Sequence, residues 1–347
     1  MVNNVSSHAL TVGCSPVENV DVVDPDRDAE IIQCVSKFWE TEAMGTEEVS
    51  NTVTENFHNT IKFDGNRYSV KLPWKSDPDL LPDNYSLSKC RSNSLLRRMS
   101  KTPARLKEYN EIIRTQEKEG IIEAVDSYVP EFGGIHYIPH REVIKEGRNT
   151  TKMRIVYDAS AKRVGHPSLN DSLETSPCLL PKMFDVIIGF RSYKYAITSD
   201  IKAAFLNIRI AKEDRNYFRF LWVDDVTKSH PEIVIKRFTS VLFGVNSSPF
   251  LLNATIATHM KQYLDINETF VIKFSRDLYM DDSITGTQDI SEAFDFYIFI
   301  KTLMLEGGFD LRKWHSNSSK LREAVREYEE LYFGKDPVSS PSLPRGE

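Results

Sequence analysis

Two short apolar runs in this chain end on carboxylates. Residues 195–199 lead into Asp200, and residues 278–285 carry the tetrapeptide Tyr279-Met280-Asp281-Asp282. Runs of this length bounded by polar residues read as strands. An isolated Asp-Asp pair is also what a solvated hairpin turn carries, because Asp favours turns. The second strand-end carboxylate, in Thr198-Ser199-Asp200-Ile201-Lys202-Ala203-Ala204-Phe205, changes the balance. If the two strands are neighbours in one sheet, which a βαββ order permits, three carboxylates converge at one place.

Three carboxylates so arranged suit a particular chemistry. Magnesium takes hard oxygen ligands in near-octahedral geometry and is usually held by one or two carboxylates together with substrate phosphates. Two such ions about 3.5–4 Å apart can activate an attacking oxygen and stabilise a leaving one during in-line displacement at phosphorus.

The rest of the chain reads as a setting for such a site. Asp64-Gly65-Asn66 between 61–63 and 68–72 predicts a hairpin. Pro73, Pro78 and Pro82 break the chain, and a helical stretch follows over 89–119, interrupted or restarted at Pro103. Residues 135–138 and 153–157 read as strands flanking a polar tip at 146–150. Residues 217–223 and 233–243 read as further strands, and Ser247-Ser248-Pro249 opens a helix to about Tyr263. Residues 270–274 and 278–285 flank the paired acids, 290–306 make a long apolar helix stopped by Gly307-Gly308, and 309–314 return as a strand. The expected class is α+β, an antiparallel sheet backed by helices.

The formal charge of -6 over 347 residues is unpromising for a phosphate-binding protein. Its distribution is more informative. Eleven acidic residues in 1–60 face only Arg27 and Lys37, so the remainder is net basic. Residues 86–118 hold nine Lys or Arg against three Glu, which suits either a nucleic-acid track or a solvated helix face. Residues 1–55 read as an acidic linker or arm, with a short helix over 30–40. No run could span a membrane and no signal peptide is evident, which predicts a cytoplasmic chain. Cys14, Cys34, Cys90 and Cys178 are far apart and suggest neither disulfides nor zinc.

The residues 279–282 together with 200–205 resemble the catalytic motif pair of reverse transcriptases. Further segments agree in order: Lys152-Met153-Arg154-Ile155-Val156-Tyr157-Asp158-Ala159-Ser160-Ala161-Lys162, then Ser168-Leu169-Asn170-Asp171, Phe243-Gly244-Val245-Asn246-Ser247-Ser248-Pro249-Phe250, and Gly308-Phe309-Asp310-Leu311-Arg312-Lys313-Trp314. Gly65-Asn66-Arg67-Tyr68-Ser69-Val70-Lys71-Leu72-Pro73 and Arg312-Lys313-Trp314-His315-Ser316-Asn317 resemble the Bel/Pao class of long-terminal-repeat retrotransposons. The resemblance implies a right-hand polymerase with fingers over 86–195 and a palm over 196–320. Residues 56–85 form a hairpin and Pro-rich connector, and 321–347 a truncated tail where the family continues into primer grip and thumb.

Carried onto matching positions, the resemblance implies that Asp200, Asp281 and Asp282 are the catalytic residues. With the Ile201 carbonyl they would hold two magnesium ions, or manganese in their place. Arg154 matches the arginine on the incoming triphosphate, where a planar guanidinium suits bidentate phosphate binding. Lys145 and Lys152 are candidates for the outer phosphates, and one of them suffices. Ala203, Ala204 and Phe205 line the nucleotide, Phe205 as the aromatic gate that excludes a ribose 2′-OH by clash. Phe243 stands where some relatives have Gln, which replaces an amide contact by apolar packing. Lys313 is a candidate general acid near the pyrophosphate, and Tyr279 and Met280 flank the site. The implied partners are an RNA or DNA template, a DNA primer, deoxynucleoside triphosphates and other pol or gag segments. The implied locations are a cytoplasmic virus-like particle or the nucleus. Without protease, ribonuclease H or integrase motifs, the chain reads as a polyprotein fragment. The competing expectation is a catalytically silent remnant that only binds nucleic acid. A protease is disfavoured because no loops match an aspartic dyad.

Overall fold

The computed structural model describes residues 47–125, 133–144, 153–174 and 179–334. Lys145 and Lys152, the polar tip, most of the acidic arm with its expected helix, Cys14, Cys34, Cys178 and the tail beyond Gly334 lie outside the described residues. The chain divides into two units, Met1–Glu47 and Glu48–Glu347, and the second contains the sheets that carry the acidic residues.

Helix α1 (Glu47–Thr60) leads into the hairpin of β1 (Lys62–Phe63) and β2 (Tyr68–Val70). Its turn forms because Asp64 Oδ1 accepts from the N–H groups of Asn66 and Arg67, and Gly65 takes φ +95. Helices α2 (Tyr85–Met99) and α3 (Pro103–Lys118) follow. Pro103 occupies the first turn of α3, where its missing N–H costs nothing, so the proline separates two helices. Strands β4 (His140–Ile144) and β5 (Met153–Tyr157) form an antiparallel pair, and β3 (Ile122–Ala124), β8 (Arg219–Val223) and β9 (Ile233–Phe238) a second sheet. Between these lie α4 (Leu169–Ser172), α5 (Met183–Ser192), β6 (Tyr195–Ile201) and β7 (Arg209–Ile210).

The sheet that carries the acidic residues comes from the second half of the chain. After α6 (Ser248–Lys261) and α7 (Leu264–Asp277), strands β10 (Leu278–Tyr279) and β11 (Asp282–Thr287) form a hairpin. Helix α8 (Ile290–Glu306) and strand β12 (Leu311–Ser316) follow, and the described chain closes with α9 (Ser319–Phe333). The sheet order is β10-β11-β6-β12, antiparallel throughout. Along β6, Ile197, Ser199 and Ile201 are buried while Thr198 and Asp200 point the other way, the period-two alternation of a sheet covered on one face.

Helices α5, α7 and α8 pack on this sheet, and α9 packs on α8 and β12. Phe274, Phe296, Ile300, Leu303 and Met304 fill the space below it. Asp289 caps α8 by accepting from the N–H groups of Ser291 and Glu292. Buried Lys301 of α8 donates to Asp310 Oδ1 at 2.8 Å and lies 3.6 Å from Glu329 of α9, tying the last two elements to the core. The class is α+β, and no helix among the described residues is long and apolar enough to cross a membrane.

Several expectations are corrected in detail. The strand expected at 135–138 lies at His140–Ile144: His136 and Tyr137 are buried, the strand pairing there is a single isolated bridge from Tyr137 to Arg219, and the Tyr137 N–H donates to the Asp83 carbonyl instead of to a neighbouring strand. Residues 212–218 form a 3-10 helix, so β8 begins at Arg219, and β9 stops at Phe238. The apolar run 270–274 lies within helix α7, where Val271 and Phe274 are buried three residues apart on one side.

Gly286 is the tightest point of the sheet. A Cβ there would strike the Tyr195 carbonyl and come within 2.6 Å of Tyr193 Cβ. We expect Gly286→Ala to destabilise the fold by about 1–3 kcal/mol through overpacking, read as a lowered urea midpoint; an unchanged midpoint would contradict the close approach.

Candidate active site

The β10–β11 turn is two residues long. Tyr279 pairs with Asp282, leaving Met280 and Asp281 as the loop, and Met280 takes φ 59. A positive φ at the first loop position is what a type II′ hairpin requires. Met280 packs partly against the core, and Asp281 accepts through its carbonyl from the Ile201 N–H at 2.8 Å. Thr285 donates to buried Asp277 at 2.7 Å, and Asp277 also accepts from Arg276 at 2.8 Å, so the end of α7 is fixed to the strand that follows the turn.

Register then determines which acids meet. Asp282 stands directly opposite Asp200, and Arg312 stands opposite Asp200 on its other side. Like charges directly opposed across strands are destabilising, so this row calls for cations. Two come from the protein. Arg312 Nε lies 3.3 Å from Asp200 Oδ1, and Lys313 Nζ donates to Asp200 Oδ2 at 2.6 Å. Lys313 reaches it because β12 has an irregularity between Arg312 and His315 and Lys313 itself has φ 54. Both cationic side chains are substantially exposed, so these contacts orient Asp200 more than they stabilise the fold.

The nucleotide-lining candidates follow β6 directly. Ala203 has φ 51 and precedes the 3-10 turn Ala204–Asn207. Positive φ at non-glycine residues costs on the order of 1–3 kcal/mol and persists only where the surroundings enforce it. Here Lys202 N–H donates to the Asp310 carbonyl, Leu206 N–H to the Ala203 carbonyl and Asn207 Nδ2 to the Lys202 carbonyl, each at 2.8 Å. Ala204 and Phe205 are buried, and the Phe205 ring meets that of Phe243 edge-on at 5.6 Å. Arg154 lies on the exposed side of β5 opposite Val143. That strand ends at Tyr157, whose carbonyl adjoins Gly244.

The structure therefore brings together Asp200, Ile201, Asp281, Asp282, Tyr279, Met280 and Lys313, and beside them Ala203, Ala204, Phe205 and Phe243. Sequence reasoning left Arg312 without a role. Its signal was available in the register, since aligning Leu311 with Ile201 sets Arg312 against Asp200. Lys313, the residue expected near a pyrophosphate, has its ammonium on Asp200.

The donor set has the chemistry of a hard divalent cation. Asp200 Oδ1 is buried without a hydrogen-bond partner, although Arg312 lies near it. The Asp282 carboxyl is pushed above the ordinary carboxylate value by desolvation and then by the charges of Asp281 and Asp200, with Lys313 opposing. Among the described residues no three such side chains are gathered as a ready-made ligand set.

Because the Asp282 pKa is raised above 3.8, the folded state is penalised as pH rises through that raised value and is not penalised below the ordinary one. In chelator, Asp282→Asn is expected to unfold at higher temperature than the parent at pH 7, the two curves converging near about pH 3. A variant that melts lower at pH 7 would contradict the crowding of charge.

No family model matches the chain, and no curated protein matches it in sequence. Among solved structures, it is similar to a foamy viral protease-reverse transcriptase (dRH) in complex with double-stranded DNA. The identity is 18% and the TM-score 0.44, over 58% of this chain and 30% of that one.

Proposed function

We propose that this chain is the polymerase core of a retroelement reverse transcriptase, of the Bel/Pao class, that adds deoxynucleoside triphosphates to a primer 3′-OH on an RNA or DNA template. The observation that carries the reading is the row formed by Asp282, Asp200 and Arg312, with the Asp281 carbonyl bonded to Ile201. A turn that served only as a solvated hairpin would not need an aligned carboxylate on the neighbouring strand.

Asp200, Asp281 and Asp282, with the Ile201 carbonyl, would hold two magnesium or manganese ions. Bound there, the cations supply charge neutralisation to the displacement at phosphorus. The remaining work belongs to the chain. Phe205 bars a 2′-OH, and Phe243 offers an apolar surface beside the nucleotide. Arg154, with Lys145 or Lys152, would grip the phosphates. Lys313 is near enough to the carboxylates to move onto a departing phosphate as a proton donor. In this reading 86–195 are fingers and 196–320 palm. The partners are template, primer and other pol or gag segments, in a cytoplasmic particle or in the nucleus.

A second reading, a silent remnant that binds nucleic acid, is favoured by the engagement of Asp200 with Lys313 and Arg312. One assay separates the two. With magnesium, the chain is expected to extend a DNA primer on an RNA template, and Asp281→Asn to reduce extension by about 10²–10³-fold or more. Salt-sensitive RNA binding without extension by the parent would favour the remnant, and extension retained in the variant would remove Asp281 from the site.

A further inference from the structure

Phe243 is 74% exposed, yet it stands between buried Leu242 and Val245. The loop around it is pinned from several directions. Ser248 Oγ donates to the Leu242 carbonyl at 2.6 Å, and Val241 N–H donates to the Ile208 carbonyl at 2.9 Å. Asn170 holds the other side, donating to the Gly244 carbonyl at 3.2 Å and accepting from the Asn246 N–H at 2.9 Å. Gly244, at φ +97, supplies the backbone turn. A large aromatic ring is thus held in solvent by a loop that has little freedom to withdraw it.

The ring does have a partner. It meets Phe205 at 5.6 Å with 70° between the planes, within the edge-to-face geometry that aromatic pairs prefer. Phe205 sits on a single 3-10 turn, and the Val241–Ile208 hydrogen bond joins that turn's exit to the base of the Phe243 loop. The two rings therefore belong to one braced unit. Among the described residues Phe205 makes no other ring contact, so on that side its ring rests on Phe243 alone.

Resting on the polymerase reading, we propose that Phe243 is a specificity-positioning residue: it braces Phe205, so that discrimination between deoxy- and ribonucleoside triphosphates depends on the ring pair. Exclusion of a hydroxyl by clash needs a wall that does not yield. An aromatic edge free to rotate loses that property while still packing against the core.

The test is primer extension with single deoxy- or ribonucleoside triphosphates, comparing kcat/KM for the parent, Phe243→Ala, Phe243→Tyr, Phe205→Ala and the double alanine variant. Phe243→Ala is expected to lower the deoxy-to-ribo ratio by about tenfold or more, chiefly through a lower KM for the ribonucleotide, and Phe243→Tyr to restore it. In the Phe205→Ala background the second substitution is expected to leave the ratio unchanged, since a residue acting through Phe205 is not additive with its loss. Equal loss with both nucleotides, or additive effects in the double variant, would overturn the bracing role while leaving the polymerase reading intact. A parent that incorporates neither nucleotide would remove both.

Discussion

The structure is organised around an unfavourable contact. Setting Asp282 against Asp200 on adjacent strands places two negative groups where cross-strand neighbours ordinarily attract or pack. The protein offsets this with Arg312 in the same row and Lys313 bent over it. The sheet order follows from the same requirement. The strand that carries Asp200 lies between the two that supply the opposing acid and the opposing bases.

Such a row is possible only because the other face of the sheet is tightly built. Ser199, Ser283 and Thr285 are small and buried on that face, while on the row's own face Gly286 admits Tyr193 and the Tyr195 carbonyl at close range. Small side chains let α5 and α7 approach the strands. The long apolar residues of α8 then fill the layer beneath. Lys301 extends the arrangement outward, since a buried ammonium needs partners and finds them on Asp310, the Leu311 carbonyl and Glu329. The strand that bears Arg312 and Lys313 is held at its start by that core lysine.

Much of this was legible in the sequence where one local rule acted alone. Gly307 ends α8 as its stop signal predicts, because a stop needs only its own neighbours. Pro103 divides two helices for the same reason. Legibility failed where tertiary contacts outweighed local pattern. Residues 270–274 form an apolar run too short for periodicity to classify. The strand β4 contains Arg141 and Glu142, which conceal a ladder partner supplied by β5. In the site, the acids could be found because two separate apolar runs carry carboxylates at their ends, which one solvated turn does not require. The Asp200 contacts of Lys313 could not, because they depend on a left-handed residue that no side-chain pattern announces. The exposure of Phe243 was hidden likewise, since Val241-Leu242-Phe243 reads as a buried run.

The two-residue loop at Met280 and Asp281 has a consequence for how such a chain can vary. Side chains of a strand alternate faces, so adding or deleting one residue there would turn Asp282 toward the hydrophobic layer and swing Ser283 out in its place. The longer link between β8 and β9 can gain or lose residues with little effect on either strand. At the hairpin tip, descent with insertions and deletions is closed off by geometry before the chemistry of the acids is tested at all.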